Sequence, residues 1–162
     1  MTEQAAAPPP EIYPMPSFAT LAVRDVERSS RWYQDVLGFQ HVFTIPGPGG
    51  APLVAHLRWS KYGDILLRRE SGPPDERPRG VGISLSFAMF ERKERVDDVA
   101  ERARRSGAAL ATEPKNQPWN ARDFSIRDPD GFLLTFTEGP VEKGVGMDAI
   151  VRRATGEGQG RA

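Results

Sequence analysis

At 162 residues the chain is long enough for one domain with a sizeable core. Its 22 basic and 22 acidic residues balance, which leaves no electrostatic case for a nucleic-acid or membrane partner. The absence of cysteine excludes disulfides, thiolate metal sites and a cysteine nucleophile, and no apolar run approaches a bilayer span.

Met1 to Pro16 is rich in proline and lacks the basic start and apolar centre of a secretion signal. It reads as a flexible lead-in over residues 1–16, and the cytoplasm is the expected compartment. From Phe18 to Arg24 the residues alternate, with Ala19, Leu21 and Val23 on one face, as a strand requires. Asp25 stands where a helix N-cap belongs, and Val26, Ser29, Trp32, Tyr33 and Val36 recur at helical spacing up to Gly38. Extended segments follow at Gln40 to Ile45, Leu53 to Trp59 and Asp64 to Arg69. The order is β-α-β-β-β.

A polar connector, Ser71 to Gly80, precedes the same order again. Gly82 to Phe87 alternates as a strand. Arg92 to Ser106 is helical, with Val96, Val99, Ala100 and Ala103 as its apolar stripe and Gly107 as its stop. Glu91/Arg95, Asp98/Arg102 and Glu101/Arg105 make the opposite side a solvated charged face. After a short strand at Ala108 to Thr112 comes Arg122 to Glu138, a β-hairpin turning at Asp128-Pro129-Asp130-Gly131. The reading is an internal duplication with fold class α+β: two βαβββ modules, residues 17–70 and 81–139, within one domain, 17–140. Residues 141–162 are expected to be a loosely held tail with a short helix near Met147 to Arg153.

The segment LAVRDVERSSRWYQDVLGFQ, followed by RDPDGFLLTF, resembles the vicinal-oxygen-chelate superfamily of glyoxalases, extradiol dioxygenases and bleomycin-resistance proteins. The resemblance runs from about Phe18 to Glu138. It implies two cup-shaped incomplete barrels with helices on the convex side, in a homodimer. Enzymes of that family hold a divalent metal with His, Gln or Glu on four cup positions. By the family pattern these fall here on Phe18, Leu66, Gly82 or Ser84, and Thr135. None is a normal ligand to a catalytic metal. No metal, no cofactor and no catalytic residue are therefore expected.

The chain has two histidines, His41 and His56, and no metal-binding motif contains either. An even loop at Lys61-Tyr62 would put Leu57 and Trp59 on the cup face with Leu66 and send His56 to the opposite face. Both histidines then read as structural. What remains for the cup is apolar or small: Phe18, Leu57, Trp59, Leu66, Ser84, Ser86, Leu133 and Thr135. The loop Asn116 to Arg122 adds Trp119 for stacking, with Asn120 and Arg122 to orient polar groups. Trp59 and Trp119 have a second reading, as packing between subunits.

Pro118 to Arg122, PWNAR, is similar to a segment ahead of the hairpin in mitomycin-binding members. The whole therefore resembles the metal-free drug-binding branch, while a neutral net charge argues against a strongly cationic ligand such as bleomycin. The function expected is a non-catalytic protein that sequesters a small aromatic or apolar metabolite or antibiotic. The alternative is a lyase or dioxygenase-like enzyme with an atypical or absent metal site.

Overall fold

The alternating β-formers of the two halves assemble two sheets of the same design. A computed structural model describes residues 10–73 and 77–156; the outer parts of the expected lead-in (1–9) and tail (157–162) lie outside the described residues. The first module comprises β1 (Ala19–Val23), α1 (Val26–Trp32) continued by a π turn at Tyr33–Leu37, β2 (Gln40–Pro46), β3 (Pro52–Ser60) and β4 (Gly63–Arg69). The second comprises β5 (Ser84–Ala88), α2 (Val96–Arg105), β6 (Leu110–Asn116), β7 (Arg122–Arg127) and β8 (Leu133–Glu138). The sheet orders are β1-β4-β3-β2 and β5-β8-β7-β6. In each, the first strand runs parallel to the last and the other neighbours are antiparallel. This is the expected α+β duplication.

Local chemistry sets the helix limits. Asp25 caps α1 by accepting the Arg28 N–H at 2.9 Å, and Gly38 closes the following turn in the left-handed region at φ 79°. The second helix begins later than the sequence pattern indicates, because its cap comes from β8. Glu138 accepts the Val96 N–H at 3.0 Å and both Nε and Nη2 of Arg95. From α2, Arg102 donates to the Val36 and Leu37 carbonyls, which the end of the first helical segment leaves without helical partners.

The helix-facing sides of both sheets share one core. Phe39 and Trp59 of the first module meet Phe87 and Phe136 of the second, with Trp59 and Phe136 ring centroids 4.7 Å apart. A polar latch closes the same seam. Asp130 of the hairpin turn accepts the Arg24 N–H at 3.0 Å and the Ser29 hydroxyl at 3.0 Å, and Asp128 accepts the Tyr33 phenol at 2.8 Å. Asp128 also accepts the N–H groups of Asp130 and Phe132. The first helix and the DPDG turn, far apart in sequence, are thus two halves of one contact.

The hairpin of β3 and β4 corrects one expectation. Ser60 pairs with Gly63, but Arg58 pairs with Asp64, so a bulge at Trp59 absorbs one residue. One residue of slip exchanges the faces of the whole strand. His56 therefore sits opposite Leu66, on the face away from the helices, while Leu57 sits opposite Ile65 and is 0% exposed in the core. Trp59, only 3% exposed, is also a core residue; its indole N–H donates to the Ala88 carbonyl at 2.7 Å.

After β8 the Asn120 amide holds the chain at Glu142, donating to its carbonyl and accepting its N–H, each at 2.9 Å. An exposed helix, α3 (Met147–Thr155), follows where a short one was expected.

Candidate functional site

Each sheet turns one side to the helices and leaves the other as a cup face. On the first, strand pairing brings together Thr20 of β1, Leu66 of β4, His56 of β3 and Phe43 of β2 in one row. Arg58 and Asp64 form the next row. His56, Arg58 and Asp64 are buried although they are polar, and they bond to one another. Asp64 Oδ1 accepts His56 Nε2 at 2.7 Å and Arg58 Nε at 2.8 Å. Since a carboxylate only accepts, the His56 Nε2 carries a proton in this bond.

Residues 10–16 cross this polar group. The Tyr13 hydroxyl donates to Asp64 Oδ2 at 2.7 Å and accepts the Tyr62 N–H at 2.7 Å. The Arg58 guanidinium lies 4.1 Å from the Tyr13 ring centroid, and its Nη1 donates to the Glu11 carbonyl at 2.7 Å. Burial, then the Asp64 carboxylate, hold the Tyr13 phenol above its ordinary pKa. Two buried atoms, His56 Nδ1 and Arg58 Nη2, have no hydrogen-bond partner in the described structure. Around the group stand apolar side chains, with Leu66 half-buried and Phe43 and Ile45 exposed.

The second cup face is a field of hydroxyls. Ser84 pairs with Leu133, Ser86 with Thr135 and Ser125 with Thr135, and the Ser125 and Thr135 hydroxyls are 2.8 Å apart. Beside it a cleft of about 640 Å³, lined by Ser84, Leu133, Ile83 and Arg127, opens toward the DPDG turn. Small-molecule sites commonly occupy about 300–1,000 Å³.

The nine residues read from the sequence separate into three groups. Leu66, Ser84 and Thr135 lie on the cup faces, and Phe18, just before β1, is 46% exposed. Leu57 and Trp59 are in the core. In the loop before β7, Trp119 is 54% exposed, but Asn120 is occupied by Glu142. Arg122 turns to the helix side, where it grips Asp97 of α2 through two bonds of 2.7 Å. That guanidinium holds the Asp97 carboxyl below its ordinary pKa. Neither Asn120 nor Arg122 has the free polar group expected of it.

Sequence reasoning missed Tyr13, His56, Arg58 and Asp64. A signal existed: His56 and Arg58 are spaced by two in an otherwise apolar strand, so they share a face. Only the bulge decides which face that is.

A model of the glyoxalase/bleomycin resistance protein/dioxygenase superfamily matches residues 16–136. The chain belongs to that superfamily. Among solved structures it is similar to TioX from Micromonospora sp. ML1, with 25% identity, a TM-score of 0.56 and coverage of 75% of this chain and 95% of that one. A glyoxalase/bleomycin resistance protein from Streptomyces sp. CB03234 shares 26% identity at a TM-score of 0.53, covering 74% and 96%. A glyoxylase/bleomycin resistance protein/dioxygenase domain from Frankia sp. EAN1pec shares 25% at 0.58, covering 83% and 96%. No curated protein sequence matches the chain.

The residues at the metal positions implied by the superfamily resemblance have few donor atoms. Phe18 and Leu66 offer no donor atom, and Ser84 and Thr135 offer only hydroxyls, with Thr135 already bonded to Ser125. This set does not fit a divalent metal. Among the described residues no three His, Asp or Glu side chains form a group that would hold one. No helix among them is long and apolar enough to cross a membrane.

Proposed function

We propose that this superfamily member is a non-catalytic protein that sequesters a small aromatic or apolar metabolite or antibiotic on its cup faces, as a two-fold homodimer. The observation that carries the reading is the surface of those faces. Where a metalloenzyme would place His or Glu, the chain has Phe18, Leu66, Ser84 and Thr135, with Phe43 and Ile45 exposed nearby. Such a surface gains by burying a planar apolar molecule, at about 25 cal/mol per Å² removed from water, and offers little to a reacting one. The similarity to a glyoxalase/bleomycin resistance protein and to a glyoxylase/bleomycin resistance protein/dioxygenase domain supports the same reading.

A metal-free enzyme is the second reading, favoured by the His56–Asp64 pair, which has the form of a base and its orienting carboxylate. Against it, His56 is only 3% exposed, and its Nε2 proton is committed to Asp64.

The test is a calorimetric titration of the wild type and Leu66→Arg with planar aromatic antibiotics. Leu66 is half-buried on the cup face, so arginine there obstructs the face without entering the core. Saturable binding by the wild type, weakened at least about tenfold in the variant at unchanged melting temperature, is the expected result. Equal binding by both proteins would place the ligand elsewhere. Conversion of the bound compound to product would favour the enzyme.

A further inference from the structure

We propose that the buried polar group on the first cup face recognises a phenol that also carries a carbonyl, and that Tyr13 occupies this site until such a ligand displaces it. The proposal rests on the reading of the chain as an aromatic-binding protein and names the ligand class and the device that guards the site. Its basis is what Tyr13 does. The side chain is itself a phenol, and the site satisfies it as a ligand would be satisfied. One face of its ring receives the Arg58 guanidinium at 4.1 Å, and the Tyr62 ring meets it edge-on at 5.0 Å. Its hydroxyl is held at both ends, by Asp64 and by the Tyr62 N–H, and the Glu11 carbonyl gives Arg58 Nη1 an acceptor.

Two features separate this from a segment that merely closes the surface. The fit is incomplete, because Arg58 Nη2 and His56 Nδ1 are buried without partners, and leaving such atoms unpaired is costly. A ligand with a further acceptor for Nη2 and a polar atom facing Nδ1 would complete what Tyr13 leaves open. The hold is also narrow. Glu11, Ile12 and Pro14 are exposed, with Ile12 at 70%, so the segment is fastened chiefly through one side chain and one carbonyl. Displacement must nevertheless be by exchange. Asp64 and Arg58 would be a buried ion pair with empty bonding positions if Tyr13 left and nothing replaced it, and a ligand hydroxyl replaces the donor that Tyr13 gives Asp64 Oδ2.

The experiment titrates the full chain with a hydroxyanthraquinone and with its methyl ether, followed by visible absorbance. Wild type, Tyr13→Ala, Tyr13→Phe and Leu66→Arg are compared. An occupied site lowers apparent affinity by the fraction of molecules that are open, so Tyr13→Ala should bind the hydroxyl probe about tenfold more tightly than the wild type. Tyr13→Phe, which keeps the ring and loses the hydroxyl, should gain less and supports the proposal even where Tyr13→Ala folds poorly. The ether, with no proton for Asp64, should gain nothing from either change. Equal affinity of the hydroxyl probe for wild type and both Tyr13 variants overturns the proposal, as does an equal gain by the ether. If both probes bind every Tyr13 form alike and Leu66→Arg abolishes binding, the phenol site is wrong and the broader binding function stands. If neither probe binds any form, both fall.

Discussion

Two aspartates in the hairpin turn show how single residues hold this molecule together. Asp130 reaches the end of β1 and Ser29, and Asp128 takes the Tyr33 phenol together with two backbone N–H groups. Burial pushes the Asp128 carboxyl above its ordinary pKa, by more than the phenol and the N–H groups draw it down. Its proton is therefore held more tightly in the folded chain than in the unfolded one. The resulting contribution to stability is fully present below the ordinary carboxyl value of about 4 and is lost as pH rises through the higher folded value. Asparagine keeps an acceptor and never ionises. Asp128→Asn should thus gain on the wild type as pH rises from about 4 to about 7, measured by thermal melts across that window. An asparagine variant that loses ground over the same range contradicts the sign of this shift.

At the level of elements, the bulge in β3 decides which side chains reach the cup. It places Trp59 in the core between Phe39, Phe87 and Phe136, with Arg92 3.9 Å from its ring centroid, and turns His56 outward. Trp59→Ala should therefore cost about 3–5 kcal/mol of stability, whereas Trp119→Ala should cost less than about 0.5 kcal/mol because its ring is more than half exposed. Denaturant melts of the two variants check this, and comparable losses would show Trp119 to be a packing residue. The same bulge marks where the sequence stops being legible. Period-two and helical patterns, the Asp25 cap and the Gly38 stop locate the duplicated modules, since these signals are local. A bulge leaves no residue of its own in the pattern, and a one-residue slip moved Leu57 and His56 to opposite sides. The bonds of Arg122 and Asn120 are hidden from the sequence for a related reason. Their partners, Asp97 and Glu142, lie 25 and 22 residues away, and nothing local announces them. Tyr13, in a proline-rich stretch without periodicity, was invisible in the same way.

For the whole molecule, the two cup faces are what the fold leaves unfinished. The core and the Asp128–Asp130 latch join the modules along their helix sides, while Phe18, Phe43 and Ile45 stay exposed. Exposed apolar side chains grouped on one surface favour association, so the proposed homodimer should scatter light at micromolar concentration as twice the 17.9 kDa chain; a monomer counts against it. The central claim is that the cup faces, rather than the helix side, bind a small aromatic molecule. Amide nuclear magnetic resonance of nitrogen-labelled protein, titrated with a planar aromatic ligand to saturation, tests it most directly. Shifts concentrated at Tyr13, Thr20, His56, Leu66, Ser86 and Thr135 are the predicted result. Saturable shifts confined to α1, α2 and the loop around Arg122, with the cup strands unmoved, would contradict it.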